Sequence, residues 1–131
     1  MSEILVNKLT GTSTAGSILV TGEGNSTTTS LQQGLAKAWA DFNQSSINES
    51  NNISSITDSN TGRYVVNINN NMANSNFAIS ACINNPESSG GDHTENSSVG
   101  RSSGTVPVKI RSADVYYDPT RTQVIIHGDL A

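Results

Sequence analysis

Apolar and polar residues alternate along much of the chain with the two-residue period of a β-strand. In the stretch RYVVNIN, Tyr64, Val66 and Ile68 fall on one face, and Asn67 and Asn69 fall on the other. The preceding DSNTG is typical of a tight turn, because its glycine can take the positive φ that closes one. We therefore predict a β-hairpin that has one apolar face.

The same alternation continues toward the C-terminus. FAISACI, TQVIIHGDL and TVPVKIRSADVYY, the last as one continuous strand, each place apolar residues at alternate positions. The polar stretch from Asn84 to Gly104 predicts a long loop. Short alternating strands with regular turn signals favour an all-β fold, and we predict an antiparallel, jelly-roll-like β-sandwich over residues 35–131. The predicted core residues are Trp39, Phe42, Ile56, Tyr64, Val66, Ile68, Phe77 and Ile79.

Residues 1–34, which we call the arm, follow a different pattern. Two three-residue apolar clusters are each followed by Gly, Ser and Thr. Such clusters predict brief strands that are too short to build a core of their own. We therefore expect the extended arm to lie on a neighbouring subunit or another protein, where its apolar side chains would anchor it. These anchoring residues are Ile4, Leu5, Val6, Ile18, Leu19 and Val20.

The composition supports a β domain with a thin core. Charged residues make up 14% of the chain and apolar residues 34%, against about 25% and about 45–50% in an ordinary soluble domain. Asn, Ser, Thr and Gly fill the difference, and they favour turns and strands over helix interiors. Because small domains bury a small share of their surface, we expect oligomerisation.

The charge distribution gives no support to several classes of partner. The net charge is −4, the basic residues are scattered, and no aromatic platform accompanies them, so we expect no nucleic acid. No run approaches the roughly 18 apolar residues needed to cross a bilayer, and the N-terminus does not resemble a signal peptide. We expect a product of the cytosol whose single cysteine, Cys82, packs as a small buried hydrophobe.

Candidate chemistry is sparse. GGDHTEN combines Asp92, His93 and Glu95, which are possible metal ligands, but the sequence lacks a second ligand cluster at suitable spacing. We therefore interpret this segment as a solvated loop that could, together with Arg101, serve in recognition. His127 lies in the last strand and is expected to pack or to lie at an interface. In the absence of a nucleophile motif, a paired acid or a phosphate-binding loop, we predict no catalytic, metal or cofactor site.

The segment SLQQGLAKAWADFN is ambiguous. Leu31, Leu35, Trp39 and Phe42 recur at helical spacing, with Ser30 as a plausible N-cap. A two-residue period instead places the alanines and the phenylalanine on one face, with lysine, tryptophan and aspartate on the other. Periodicity alone slightly favours a helix of about three turns.

The stretch from Lys37 to Ala81 resembles a module found in tail-fibre-like and other virion structural proteins of tailed phages, notably marine ones. That module runs approximately K-A-W-x-x-F, then N-x-S-S-I-T-D-x-x-T-G-x-Y-x-V, then a turn and a strand. One departure is Ala73, which stands where Pro is usual. The matching residues are Lys37, Ala38, Trp39, Phe42, Asn52, Ser54, Ser55, Ile56, Thr57, Asp58, Thr61, Gly62, Tyr64, Val66, Met72, Asn76 and Phe77.

The resemblance implies a strand at Ala36–Phe42 and leaves only a helical turn at Leu31–Gly34. It also implies a non-enzymatic structural protein located on the virion and made in the cytoplasm of the bacterial host. The expected role is a homotrimeric head-decoration or tail-fibre-type protein, anchored to capsid or tail proteins by its arm. The alternative is a module that binds a glycan or host receptor through the stretch from Asn84 to Gly104. A polysaccharide hydrolase is disfavoured, because no pair of acids is evident.

Overall fold

Strands dominate the computed structural model of the chain. It describes residues 3–11, 18–21, 27–84, 92–96, 100–112 and 114–131, with the backbone alone at 32–33 and 92–96. The described elements are β1 (Leu19–Thr21), β2 (Thr28–Ser30), α1 (Leu31–Gly34), β3 (Ala36–Asn43), β4 (Ser46–Asn51), β5 (Ile53–Asn60), β6 (Arg63–Ile68), β7 (Ala78–Asn84), β8 (Asp92–Asn96), β9 (Thr105–Ser112), β10 (Val115–Tyr116) and β11 (Arg121–His127).

The chain divides into two compact units, residues 1–35 and residues 36–131. In the first unit, β1 and β2 pair as a two-stranded antiparallel ladder. The ladder is continued by the backbone of Leu31, whose N–H donates to the carbonyl oxygen of Ile18 at 2.8 Å. The single turn of α1 follows directly, as predicted for Leu31–Gly34.

In the second unit, a four-stranded antiparallel sheet has the order β4-β3-β11-β7. The strand predicted at Ala36–Phe42 is confirmed as β3. Strand β4 was not predicted, and residues with positive φ flank it, Gln44 before and Asn52 after. The Asn52 amide supports this corner, because its Nδ2 donates to the carbonyl oxygens of Lys37 and Asn70 at 3.1 Å each.

A five-stranded sheet contains the path β10-β9-β6-β5, and β8 also pairs with β9, on the edge that faces away from β6. Val108 of β9 lies between these two strands, since it pairs with Tyr64 of β6 on one side and with Asn96 of β8 on the other. The loop predicted across Asn84 to Gly104 is therefore wrong for 92–96, which pair with β9. The continuous strand predicted after Thr105 is also wrong, because β10 folds back onto the end of β9.

The apolar faces of the two sheets pack against each other and form the core of an all-β sandwich, as predicted. The ring of Phe42, from the four-stranded sheet, meets the ring of Tyr64, from the other, edge to face at 5.7 Å between centroids. Of the predicted core residues, Ile79 is half-buried against the core cluster, and six others are fully buried within it. Those six are Phe42, Ile56, Tyr64, Val66, Ile68 and Phe77.

Two predictions of burial are wrong. Trp39 is only half-buried and lies outside the core cluster, because its neighbours Ala38 and Ala40 point inward and strand alternation turns Trp39 to the outer face. Cys82 is exposed for the same reason, since Ala81 beside it packs against the core.

The hairpin between β5 and β6 depends on Gly62. Its N–H donates to Asp118 at 2.7 Å, and its carbonyl oxygen accepts from the Ile110 N–H at 2.8 Å. Gly62 has a φ of +63°, and a Cβ atom added there would lie 2.4 Å from the carbonyl oxygen of Ile110 and 2.8 Å from that of Tyr117. The turn therefore needs glycine for its conformation and for the close approach of two backbones.

We predict that Gly62→Ala lowers the free energy of unfolding by about 2–5 kcal/mol, because left-handed strain and backbone overlap add. Urea denaturation measures the change. The matched control is Gly34→Ala, since a Cβ at Gly34 meets nothing within 4 Å. Equal unfolding midpoints for the two variants would contradict the assigned role of Gly62.

Candidate functional site

The outer face of the four-stranded sheet carries two neighbouring rows of side chains. In one row, Ile125 of β11 lies between Trp39 of β3 and Ser80 of β7. In the next row, Gln123 lies between Asp41 and Cys82 in the same way. Residues directly opposite each other on paired strands share a face, so these six side chains form one continuous surface.

This surface contains a groove with a volume of about 350 Å³. Trp39 and Ile125, the latter 37% exposed, supply its apolar part, and the short side chains of Ser80 and Cys82 leave room beside them. Glu49, from the edge strand β4, completes one side. We call this the Trp39 groove, and the side chains that define it are those of Trp39, Asp41, Glu49, Ser80, Cys82, Gln123 and Ile125.

Asp41 is the most strongly bonded polar residue of the groove. The Nε of Arg121 donates to its two carboxylate oxygens at 2.8 and 2.7 Å, and Nη2 of Arg121 contacts it as well. Asn48 and Gln123 donate to the same carboxylate at 2.9 and 3.1 Å. These hydrogen bonds, that of Arg121 foremost, hold the pKa of Asp41 well below its usual range. The carboxylate is thus ionised and fixed in position.

The predicted anchoring residues of the arm are largely exposed. Ile4, Leu5 and Val6 are 85%, 84% and 59% exposed, and Leu19 and Val20 of β1 are also exposed. Ile18, which precedes β1, is half-buried.

The predicted recognition residues are not gathered in a loop. Asp92, His93 and Glu95 belong to β8, where the backbone pairs with β9. The Arg101 guanidinium lies 4.2 Å from the centre of the Phe77 ring and donates to the Phe77 carbonyl oxygen. Arg101, which lies outside the strands, is therefore tied to the fold, and its role in recognition stays a prediction.

In the described part of the chain, three or more His, Cys, Asp or Glu side chains nowhere come together in a way that could hold a metal ion. Within those same residues, no helix is long and apolar enough to cross a bilayer.

The Trp39 groove was missed by the sequence reasoning, although a signal for it exists. With a two-residue period, Trp39 shares its face with Lys37 and Asp41. Charged neighbours at both of these positions indicate an outward face, because unpaired charges are rarely buried. The general tendency of large aromatic residues to fill small cores instead favours a buried Trp39, and this tendency conflicts with the local pattern.

We predict that Asp41 makes stability dependent on pH in the acid range. Because folding lowers the pKa of Asp41, its contribution is complete above the unfolded-state value of about 4 and is lost as pH falls toward the folded-state value. Asp41→Asn should therefore be less stable than the wild type near neutrality, and the difference should shrink below about pH 4. Urea midpoints measured from neutral to strongly acidic pH test this.

The control for that experiment is Asp114→Asn. Asp114 has a fully exposed side chain 3.6 Å from Arg111. This variant should follow the wild-type pH profile, since exposed ion pairs contribute little. A gap between wild type and Asp41→Asn that stays constant with pH would contradict the assignment.

Comparison of this chain with protein-family models, with curated proteins and with solved structures finds no match.

Proposed function

We propose that this chain is a non-enzymatic structural protein of a phage virion, a homotrimeric head-decoration or tail-fibre-type protein whose arm attaches it to capsid or tail proteins. The observation that carries the proposal is the distribution of exposed apolar side chains. Seven of the nine large apolar side chains exposed in the described residues lie in unit 1–35, and two lie in the sandwich. Those seven are Ile4, Leu5, Val6, Leu9, Leu19, Val20 and Leu35.

The energetics of such an arm favour several attachments per particle. Burying an exposed Ile or Leu side chain contributes about 1.5–3 kcal/mol, whereas ordering each backbone residue costs about 1–2 kcal/mol. The net free energy of binding of a single arm is therefore only slightly favourable. Three arms presented by one trimer would bind together, because attachment of the first raises the effective concentration of the others. This supports a homotrimer as the working unit.

The β1–β2 ladder offers a second means of attachment. Its two strands pair only with each other in the described part of the chain, so each has a further edge that could pair with a strand of a partner. Main-chain hydrogen bonds would then give affinity, and the apolar side chains of β1 would set the register. The resemblance of Lys37–Ala81 to modules of tailed-phage virion proteins supports a location on the phage particle. Such a protein would be made in the host cytoplasm.

A second candidate function is a module that binds a glycan or host receptor on the virion surface. The observation in its favour is the Trp39 groove, which lies on the outer face of the four-stranded sheet. The sequence alone instead predicts the stretch from Asn84 to Gly104 as the binding surface of such a module.

We predict that replacing Ile4, Leu5 and Val6 together by Asn lowers incorporation into virions at least about tenfold, because three apolar contacts per arm are lost. Virions made in cells that supply only the variant chain are purified, and the chain is quantified in them. The stability of the sandwich should not change, since these side chains are exposed.

The matched control is Val115→Asn, which places the same polar side chain at a 69% exposed apolar position in the sandwich. This variant should enter virions at the wild-type level. Normal incorporation of the triple variant would refute the anchoring role of the arm.

A further inference from the structure

The Trp39 groove combines an aromatic ring with polar groups that can form hydrogen bonds with hydroxyl groups. Trp39 is the only tryptophan of the chain, and its half-buried side chain lines the groove and lies outside the core cluster. A sugar ring has an apolar C–H face that can lie on an indole, while its hydroxyl groups remain at the edge. Ile125, 37% exposed beside Trp39, extends the apolar floor in the direction of β7.

The polar groups beside that floor come from three different strands. Glu49 comes from β4, Gln123 from β11 and Ser80 from β7. A carboxylate accepts hydrogen bonds, an amide donates and accepts, and a hydroxyl does both, so together they match a ligand rich in hydroxyls. Concave sites that combine an apolar lining with a few polar groups are typical of small-ligand binding.

The charge of the groove argues against an anionic ligand. Among the described residues that line the groove, Asp41 and Glu49 are acidic and none is Lys, Arg or His. Arg121 compensates Asp41, which leaves the carboxylate of Glu49 as the local charge. An acidic sugar, a phosphate or an acidic peptide would meet repulsion there, whereas neutral hydroxyls can donate to the carboxylate.

The size and rigidity of the groove favour a short segment of ligand. Its volume of about 350 Å³ lies at the lower end of the range for small-ligand sites. Asp41 is held by Arg121, Asn48 and Gln123, so the side chains at this end of the groove are ordered before a ligand arrives. Little conformational entropy is then lost on binding.

We propose that the Trp39 groove binds a neutral saccharide, with Trp39 and Ile125 under the apolar face of a sugar ring and with Glu49, Ser80 and Gln123 at its hydroxyl groups. The site lies within residues 36–131 and uses no residue of the arm. Failure of this proposal would therefore leave the proposed assembly function standing, and failure of the arm experiment would leave this site standing.

The test uses the full chain and the single tryptophan as a reporter. Cellohexaose, maltohexaose and N-acetylchitohexaose are titrated separately while the indole N–H resonance of Trp39 is followed by NMR. We expect a saturable shift with at least one of these neutral oligosaccharides, at concentrations up to the millimolar range that is usual for weak sites.

Two groove variants show whether the shift comes from this surface. Glu49→Gln removes a charged acceptor and Ile125→Thr removes part of the apolar floor, and each should weaken binding about tenfold. Their matched controls are Glu3→Gln in the arm and Val115→Thr in β10, which should bind as the wild type does. All four positions are exposed, so the variants should keep the wild-type unfolding midpoint.

Several outcomes would overturn the proposal. One is the absence of a saturable shift with all three oligosaccharides, and another is an equal shift in the groove variants and the wild type. A larger response to tetralysine than to any sugar would assign the acidic groove to a cationic peptide instead. A shift that appears on concentrating the protein alone would identify the face as a contact between copies of the chain.

Discussion

The side chain of Tyr64 connects three parts of the sandwich, and the rest of the fold depends on this connection. Among the described residues, Tyr64 is the largest whose side chain is fully buried, and its ring meets Phe42 of the opposite sheet edge to face. Its hydroxyl donates to Asp118 at 2.6 Å, and Asp118 also accepts from the Gly62 N–H. Burial and the neighbouring Asp118 raise the pKa of Tyr64 well above its usual range, so the phenol stays a neutral donor. Packing between the sheets, the β5–β6 turn and the connection from β10 to β11 are thereby coupled.

A chain with so few apolar residues must use its polar residues as structural elements. Ala38 and Ala40 leave space on the inner face of the four-stranded sheet, so bulky residues of the other sheet can fill the core. On the outer face of that other sheet, the Asn67 Nδ2 lies 3.0 Å from the hydroxyls of Ser55 and Thr57. The uncharged polar side chains of this hairpin therefore bond to one another across strands, which explains why it can be so rich in Asn and Ser.

The sequence predicts the strands whose residues alternate regularly between apolar and polar and misses two that lack this alternation. Strand β6 follows from its alternation, because every second residue must be apolar to face the other sheet. Strands β4 and β8 contain the sequences SINESN and DHTEN, which show little apolar alternation and resemble loops. They form because β3 and β9 offer unpaired backbone groups at their edges, and backbone pairing leaves almost no signature in the side chains.

Apolar patterning also explains what could be predicted about the candidate sites. The arm clusters were recognisable, because apolar triplets surrounded by Gly, Ser and Thr cannot build a core. For Trp39, the burial preference of its residue type conflicted with the alternation of its strand, and the alternation determined its position. The strand could not satisfy both, since turning Trp39 inward would have brought Lys37 and Asp41 into the core with it.

The two exposed apolar surfaces impose different requirements on their ligands. The attachment proposed for the arm would cost conformational entropy, so it suits a fixed partner that is met many times on one particle. The Trp39 groove is built on strands whose positions are set by the core, and the carboxylate of Asp41 already accepts hydrogen bonds from three side chains. A preformed site of this kind can bind a small ligand weakly and reversibly without a large loss of conformational entropy. The permanent attachment proposed for the arm and the reversible contact proposed for the groove are therefore compatible in one small chain, since each surface belongs to a different compact unit.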